Sequence, residues 1–354
     1  MGIPAIQKAR IGAYLLRKKL SHNHNGRFPL VLMLEPLFRC NLRCKGCGKI
    51  DYPEHILKKM MTPEECVTAA QECGAPVVSI AGGEPLLHPD IAAIVRSLIA
   101  RKRFVYLCTN ALRVEKRIHE FEPSPYLTFN IHVDGLEQRH DDRVGRKGVF
   151  DRAVSAIRHL VASGFRVTTN TTLFQGETAQ GACRLFDFLT SLRVEAMTIA
   201  SAFGYPNAPD QDGFFTRDQA TVLFQSILAS AKGRGWTFNH SNLYLDFLAG
   251  NQAYECLPWA NPTRNIFGWQ KPCYLLNDGY EPTFEALMQN TNWSCYGVGR
   301  DPRCTHCMLH CGFEPTAVMD SVRHPLKVLT VGIRGIKIDE PAVLRDSHGP
   351  KEIL

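Results

Sequence analysis

The chain has 354 residues, of which 45% are hydrophobic and 21% are charged, and this composition is that of a folded globular protein. Its formal net charge of +7 is modest for this length, and because no nucleic-acid-binding motif accompanies it, we expect no nucleic-acid partner. The sequence contains no apolar run of about 18 residues, which excludes a transmembrane helix.

Thirteen cysteines are the anomaly of the composition. The N-terminus lacks the basic start, apolar middle and small-residue cleavage site of a signal peptide, so we expect a cytoplasmic location and a reducing environment. In that environment, clustered cysteines are more often metal ligands or reactive groups than disulfides.

Residues 1–28 predict a basic amphipathic helix. Apolar residues from Ile3 to Leu20 recur at helical spacing, and lysines and arginines lie between them. Such a helix can lie on an anionic membrane surface, which would make a peripheral contact at the inner face. The alternative, which is the commoner fate, is a helix packed on its own domain with a solvated basic face.

Residues 29–235 predict six strands and five helices, which largely alternate. The expected strands are rich in β-branched and aromatic residues and span residues 30–35, 77–81, 104–108, 127–133, 166–172 and 195–200. The expected helices span residues 62–72, 89–100, 150–163, 178–192 and 216–231, the first with a capping box. This alternation indicates an α/β fold with parallel strands and right-handed crossovers. Because polar motifs follow five successive strands, a partial (β/α)6 TIM-like barrel is favoured over an open doubly wound sheet.

The regular alternation ends near residue 235. Residues 236–334 are rich in aromatics, Gly, Pro and Cys, and they predict a small, loop-rich auxiliary domain. Residues 335–354 are polar and predict a poorly ordered tail.

Three cysteines with C-x3-C-x2-C spacing, namely Cys40, Cys44 and Cys47, directly follow the first expected strand. Three thiolates this close can hold one iron–sulfur cluster and leave one iron with an open position. A zinc site would need a fourth ligand, for which His55 is the only close candidate, so the cluster is the favoured interpretation.

Two further strand ends carry motifs suited to a charged ligand. After the second strand, Gly82 and Gly83 would let a ligand approach the backbone, and Glu84 would offer a carboxylate to an ammonium group. After the third strand come Thr109 and Asn110, where Asn110 can equally serve as a helix cap.

With these motifs in this order, the chain resembles the radical S-adenosylmethionine (SAM) superfamily. The resemblance implies that the open iron of a [4Fe–4S] cluster binds SAM, that Glu84 holds the methionine amino group, and that a 5′-deoxyadenosyl radical is produced. It also implies SAM contacts at Gly82, Gly83, Thr109 and Asn110. The chain departs from the family pattern at Gly46, where an aromatic residue usually stacks on adenine, and at Ala111, which replaces a Gly.

The fourth and fifth strands end in further polar residues. His132-Val-Asp134-Gly and the following His140-Asp-Asp-Arg143 resemble a pattern of the superfamily branch that often carries extra clusters, with His132 in place of Ser. Arg143 would reach the SAM carboxylate. Asp134 is a SAM-site candidate or a turn residue, and Asn170 would contact ribose hydroxyls or fill the barrel.

A second cysteine group, Cys304, Cys307 and Cys311, has C-x2-C-x3-C spacing. With a fourth thiolate it would close an auxiliary [4Fe–4S] cluster. Cys273 is the chosen fourth ligand, because its surroundings resemble the entry to the cluster domain of many radical SAM proteins, and Cys295 is the reserve. Structural zinc is the alternative.

Several longer stretches resemble the hopanoid-biosynthesis branch of the superfamily, among them residues 36–50, 262–276 and 307–317. That resemblance implies that the adenosyl radical adds to the alkene of diploptene, a C30 lipid, with SAM consumed as cosubstrate and with a reduced flavodoxin or ferredoxin as electron donor. Aromatic residues available to line such a site are Phe203, Tyr205, Tyr244, Phe247, Trp259, Phe267 and Trp269, each of which can equally belong to the core.

Addition to an alkene leaves a carbon radical that needs a hydrogen atom. We hypothesise that the Cys108 thiol donates it, although a buried structural cysteine is as good an interpretation of this residue. Two competing functions remain from the sequence, namely a radical SAM enzyme that abstracts hydrogen from a peptide or small molecule, and an iron–sulfur electron carrier.

Overall fold

The computed structural model describes residues 4–20, 26–204 and 207–338. The strands are β1 (Val31–Glu35), β2 (Val77–Ile80), β3 (Phe104–Thr109), β4 (Leu127–His132), β5 (Arg166–Leu173), β6 (Ala196–Ser201), β7 (Thr263–Asn265), β8 (Gly268–Pro272) and β9 (Asn277–Glu281). The helices are α1 (Ala5–Leu20), α2 (Glu54–Leu57), α3 (Pro63–Cys73), α4 (Ile91–Ala100), α5 (Val114–Arg117), α6 (Glu137–Val144), α7 (Val149–Ala162), α8 (Ala179–Ser191), α9 (Arg217–Ala229), α10 (Asn242–Leu248), α11 (Phe284–Asn290), α12 (His310–Arg323) and α13 (Pro325–Arg334).

The first six strands form one parallel sheet in the order of the chain, and this confirms the α/β fold expected from the sequence. Helices connect the successive strands, as parallel pairing requires. Each expected strand agrees with the observed one to within one residue at either end. Thr62 caps α3 through Glu65 in the expected capping box.

Alternate residues of the strands face the helices and the interior of the sheet. Leu34, Ile80 and Leu107 are fully buried in the apolar layer beneath the helices. On the inner side a polar row crosses four strands, because Ser79 contacts Cys108, Asn130 donates to Cys108, and Thr168 donates to Asn130. The sheet therefore presents an apolar outer face to its helices and polar side chains to its interior.

The C-terminal region extends the same sheet. β7 pairs in parallel with β1, and β8 and β9 follow antiparallel, so the sheet order is β6-β5-β4-β3-β2-β1-β7-β8-β9. The sequence analysis did not predict these three strands, because strands of three to five residues interrupted by Gly and Pro carry too little periodicity to be recognised.

Helix α1 packs on the barrel through one side. Tyr14 and Leu15 are buried beside Leu30, the Tyr14 hydroxyl donates to the Pro29 carbonyl at 2.7 Å, and Gln7 lies within hydrogen-bond distance of Tyr106 on β3. The inner side of α1 therefore packs on its own domain, as in the second of the two alternatives that the sequence offered. Within the described residues, no helix combines the length and apolarity needed to cross a bilayer. A poorly ordered tail was expected over residues 335–354. Residues 339–354 of it lie outside the described residues.

The corner between α6 and α7 is held by one buried carboxylate. Asp141 accepts hydrogen bonds from the backbone N–H groups of Gly148 at 2.5 Å and Phe150 at 2.9 Å. These are N–H groups at the start of α7, which have no partner within that helix. Asp141 therefore positions α7 behind β4 and β5.

Replacing Asp141 with Ala leaves both N–H groups without an acceptor, and we expect the free energy of unfolding to fall by about 1–3 kcal/mol in urea denaturation. The exposed neighbour Asp142 is the control, and Asp142→Ala should stay within about 0.5 kcal/mol of the unsubstituted protein. Equal losses in the two variants would contradict the capping role.

Candidate active site

One cavity lies at the C-terminal ends of the six parallel strands. Residues from the end of every one of these strands, or from the loop that follows it, line this cavity, and they include Cys40, Cys44, Cys47, Gly82, Gly83, Glu84, Cys108, Thr109, Asn110, Asn130, His132, Asp134, Arg143, Asn170, Ala200 and Phe203. A flat sheet could not bring β1 and β6 to one cavity, since four strands separate them. The sheet is therefore curved as a partial barrel, whose site is assembled from many strand ends.

The loop after β1 brings three thiols to this cavity. Burial raises the pKa of all three thiols and is the largest cause in each case, and the pKa of Cys40 rises to about 11. The charge of a neighbouring cysteine raises the pKa of Cys40 and of Cys44 further. A set of buried thiols that disfavour one another's ionisation becomes stable as thiolates only around a cationic centre, so the donor set fits an iron–sulfur cluster. Among the described residues, no three His, Cys, Asp or Glu side chains could hold a single metal ion.

The Gly82-Gly83 turn serves the cysteine loop. A Cβ at Gly82 would overlap the Leu37 carbonyl oxygen, and one at Gly83 would overlap the Arg39 carbonyl oxygen. The Gly83 N–H donates to Leu37 and the Glu84 N–H donates to Arg39, both at 2.9 Å. On the Cβ side of both glycines the space is filled by the backbone that leads to Cys40, and because both also line the cavity, the approach of a ligand to their backbone stays a prediction.

Glu84 joins the turn after β2 to the turn after β3. Its buried carboxylate accepts hydrogen bonds from the Leu86 N–H at 3.0 Å, the Thr109 hydroxyl at 2.7 Å and the Asn110 N–H at 2.8 Å. Burial raises the pKa of Glu84 and these donors oppose the rise. A carboxylate has about four acceptor positions, so Glu84 retains capacity for one more donor in the cavity.

Asn110 connects the third strand end to the cysteine loop. Its side-chain amide donates to Asn41 at 2.8 Å and lies 3.9 Å from the Cys40 sulfur, and its carbonyl accepts from the Leu112 N–H. It is both a cap and a neighbour of the thiols. Ala111 has a φ of 69°, in the region that favours glycine, which explains why Gly is usual at this position.

His132 and Asp134 form a charged pair at the end of β4. The His132 Nε2 lies 2.6 Å from Asp134 Oδ2, while Asp134 Oδ1 accepts from the Thr172 N–H. Burial disfavours both charges, but their mutual attraction outweighs it, so the pKa of His132 is raised and that of Asp134 is lowered. Asp134 therefore holds the turn and also lines the cavity, so its contact with SAM stays a prediction, while His132 presents the more exposed side chain there.

Arg143 is held above the ring of Phe174. Its guanidinium carbon is 4.3 Å from the ring centroid, and its Nη1 donates to Asp210 at 3.1 Å. The ring in turn fills the space beside Gly46, where an added Cβ would lie 2.5 Å from Phe174 Cε1. Phe174 thus brings an aromatic ring to the place that the missing aromatic of the cysteine loop would otherwise occupy. The only signal in the sequence was Gly46 itself. Its partner Phe174 lies 128 positions further along the chain, so only the fold reveals the contact.

Cys108 and Asn170 face the cavity from the inner side of the sheet. The Cys108 sulfur lies 3.4 Å from Ser79 Oγ and accepts from the Asn130 amide at 3.5 Å. Burial is the largest influence on the pKa of Cys108 and raises it, so the group is a neutral thiol. Within the described part of the chain, no hydrogen bond satisfies the side-chain amide of Asn170, which lines the cavity.

A second, smaller cavity holds the distal cysteines. Cys273 lines it together with Cys304, Cys307 and Cys311, whereas the exposed Cys295 does not. A fifth thiol, Cys256, lines the same cavity, and the charges of the other four are among the causes that raise its pKa.

Most of the aromatic residues considered for a substrate wall belong to the core instead. Phe203 lines the main cavity. Tyr244, Phe247, Trp259 and Trp269 are buried in the main apolar core, and Phe267 packs against Phe38 and Tyr280. Tyr205 lies outside the described residues. The apolar wall is made by Phe174, Phe203, Phe214, Leu275 and Leu309.

Comparison with known families assigns the two parts of the chain. Residues 34–189 match the Radical SAM superfamily model, and residues 197–331 match a domain of unknown function, DUF3463. Two curated relatives are GTP 3′,8-cyclase 1 of Mycobacterium tuberculosis, 25% identical over 48% of this chain and 50% of that protein, and pre-heme d1 synthase of Dinoroseobacter shibae, 25% identical over 78% and 72%. The chain spans about half the length of the first relatives it matches.

Solved structures agree in fold. Streptococcus suis SuiB bound to S-adenosylmethionine superposes with a TM-score of 0.59 at 17% identity over 74% of this chain and 69% of that one. SuiB bound to its precursor peptide SuiA gives 0.62 at 15% identity over 89% and 76%.

The fold and the cavity define an α/β protein that carries a cysteine triad at the mouth of a partial barrel. Residues 34–189 of this chain form a radical SAM domain, and that superfamily implies a [4Fe–4S] cluster and SAM as cofactors.

If Phe174 provides the aromatic surface for adenine, Phe174→Ala should raise the Kd of SAM by roughly 5- to 100-fold, since one ring stacked on a base contributes about 1–3 kcal/mol. The double variant Gly46→Phe/Phe174→Ala moves the ring to the cysteine loop and should recover most of the affinity. Equilibrium dialysis on the cluster-loaded protein measures both, and an unchanged Kd in Phe174→Ala would exclude the stacking role.

Proposed function

We propose that this enzyme transfers the 5′-deoxyadenosyl group of SAM to the alkene of diploptene and forms adenosylhopane. The observation that carries the proposal is that the Cys108 thiol lines the cavity, next to Thr109 and Asn110. Addition to an alkene needs a hydrogen-atom donor afterwards, whereas abstraction of hydrogen from a substrate does not.

The residues that would hold the cofactors surround this thiol. Cys40, Cys44 and Cys47 would bind three irons of the [4Fe–4S] cluster, and the cluster with SAM supplies the adenosyl radical when bound. Glu84 would use its remaining acceptor position for the methionine ammonium, supported by the contacts that fix its carboxylate.

Further SAM contacts would come from the other strand ends. Asn170 offers an unsatisfied amide to ribose hydroxyls, and Asn110 lies beside the thiols. Arg143 is already paired with Asp210, so its expected contact with the SAM carboxylate would share the guanidinium with that side chain. Gly82 and Gly83 would support the site by holding the cysteine loop.

The proposed reaction has two bond-forming steps. C5′ of the adenosyl radical forms a carbon–carbon bond with the terminal CH₂ of the alkene, the π bond breaks, and the unpaired electron moves to the tertiary carbon. The Cys108 S–H bond then breaks, and its hydrogen atom forms a C–H bond at that carbon. One electron from a reduced flavodoxin or ferredoxin and one proton return the sulfur radical to a thiol.

An apolar lining supports a hydrocarbon substrate. Phe203, Phe214, Leu275 and Leu309 line the same cavity as the residues proposed to bind SAM, and a C30 lipid needs this kind of surface because it offers few hydrogen bonds. The water-insoluble substrate also fits a peripheral membrane contact.

The alternative function is hydrogen abstraction from a peptide or small molecule, and peptide-bound SuiB shares the fold.

An auxiliary [4Fe–4S] cluster in the second cavity is part of the proposal. Cys273, Cys304, Cys307 and Cys311 would bind it, with Cys256 as a fifth thiol beside them. The cavity is lined by apolar residues around the sulfur atoms, which suits a buried cluster.

The decisive experiment incubates the reconstituted protein with SAM, a reductant and diploptene, followed by mass spectrometry of the lipid. We expect an adenosyl unit on the lipid in equimolar amount to the methionine released. Release of 5′-deoxyadenosine with unaltered lipid would overturn the proposed substrate and favour hydrogen abstraction. No SAM cleavage at all would contradict the enzyme itself.

Cys108→Ala tests the hydrogen donor in the same assay. We expect the yield of adenosylated lipid to fall at least about tenfold, because the tertiary radical has no donor. In D₂O the unsubstituted enzyme should place one deuterium at the new C–H position, since thiols exchange with solvent. Cys183→Ala, at a buried cysteine of α8 away from the cavity, is the control. Equal yield and deuterium content in the two variants would exclude Cys108.

The auxiliary cluster is tested by iron content and Mössbauer spectroscopy. With two [4Fe–4S] clusters the chain holds about eight irons. Cys273→Ala/Cys304→Ala/Cys307→Ala leaves two thiols in the second cavity, fewer than the three that would hold the first cluster, and should lower this to about four. Cys295 is exposed and does not line the cavity, so the control variant Cys295→Ala should keep about eight irons per chain. The same iron content in both variants would contradict this ligand set, and about one zinc per chain with four irons would support zinc there.

A further inference from the structure

The outer side of α13 exposes three large apolar side chains. Leu326, Leu329 and Ile333 are 77%, 58% and 76% exposed. Their spacing of three and four residues places them on one side of the helix, and we call them the outer stripe. Val328 and Val331 lie on the other side and pack against the core of the protein.

The outer stripe differs from ordinary exposed apolar residues. Single exposed side chains such as Val222 on α9, 51% exposed, are common on folded proteins. Three on consecutive turns of one helix form a continuous apolar strip, which marks an interaction surface. Val322, 49% exposed, lies just before this helix at the end of α12.

The charge along α13 and the residues next to it in the sequence is mainly positive. Residues 321–338 contain Arg323, Lys327, Arg334 and Lys337 and no Asp or Glu. The nearest acidic group of α12, Asp320, is paired with Lys327 and His324. Arg323, Arg334 and Lys337 are the other basic residues of this range, and an apolar strip with basic neighbours complements a surface that is apolar below and negative above, as an anionic lipid bilayer is.

The N-terminal segment adds to the same charge. Residues 1–34 hold six lysines and arginines and no acidic residue. Val318 of α12 packs in the cluster of Tyr14 and Leu15 of α1, so α12 contacts both α1 and α13. Together these two segments carry ten of the 41 basic residues and none of the 34 acidic ones, so the positive charge is concentrated near the two ends of the described chain.

We propose that the outer stripe of α13, with its basic flanks, docks this protein on an anionic lipid bilayer. The apolar side chains would enter the boundary between head groups and acyl chains, and the lysines and arginines would contact lipid phosphates. The proposal does not depend on the identity of the substrate, because it is carried by a surface outside the catalytic cavity.

The test is flotation of the full-length, cluster-loaded protein with lipid vesicles and without substrate. Vesicles contain phosphatidylcholine alone or phosphatidylcholine with roughly one third phosphatidylglycerol. We expect binding to the anionic vesicles, weakened by added salt, and a loss of roughly tenfold in the partition coefficient for Leu326→Ser/Leu329→Ser/Ile333→Ser. Val222→Ser is the matched control and should bind as the unsubstituted protein does.

Two results would overturn the proposal. Equal binding of the triple variant and the control, with circular dichroism confirming that both are folded, would move the lipid contact elsewhere. Absence of vesicle binding, with self-association in light scattering that the triple variant loses, would assign the stripe to a second copy of this chain.

Discussion

Glu84 lies buried where three strand ends meet, and its carboxylate accepts hydrogen bonds from two of the turns that leave them. The backbone of the same turn binds the cysteine loop through the N–H groups of Gly83 and Glu84. Since a buried carboxylate without partners would be strongly disfavoured, these donors and the carboxylate fix one another. Hydrogen bonds therefore connect the cysteine loop, the turn that carries Glu84 and the Thr109-Asn110 turn to one another.

Polarity is concentrated on the inner face of the sheet, where it serves the site. The row from Ser79 through Cys108 and Asn130 to Thr168 is satisfied within itself, and it leaves the Cys108 hydrogen inside a mostly protein environment. The apolar outer faces of the same strands bind the helices and supply most of the stability through burial. A rigid frame thus holds groups whose functions differ from strand to strand.

The C-terminal region is continuous with the barrel, although a different family model covers it. β7 pairs with β1, the strand that leads into the Cys40 loop, so the second cavity and the first share one sheet. Leu275 lines both cavities, and His310, between Cys307 and Cys311, lines the first. An auxiliary cluster at the proposed position would therefore lie next to the substrate wall.

The sequence by itself determined the alternation of strands and helices and the order of the radical SAM motifs within residues 34–189, because these depend on local periodicity and on residues close together in the chain. It also indicated Cys273 as the companion of the distal cysteines, through local motif resemblance. Only the tertiary structure brought Phe174 to Gly46, Cys256 to the distal thiols and the backbone of Arg39 to Gly83. These contacts join residues from about 40 to more than 100 positions apart. No local sequence pattern predicts such contacts, because the curvature of the sheet decides which strand ends meet.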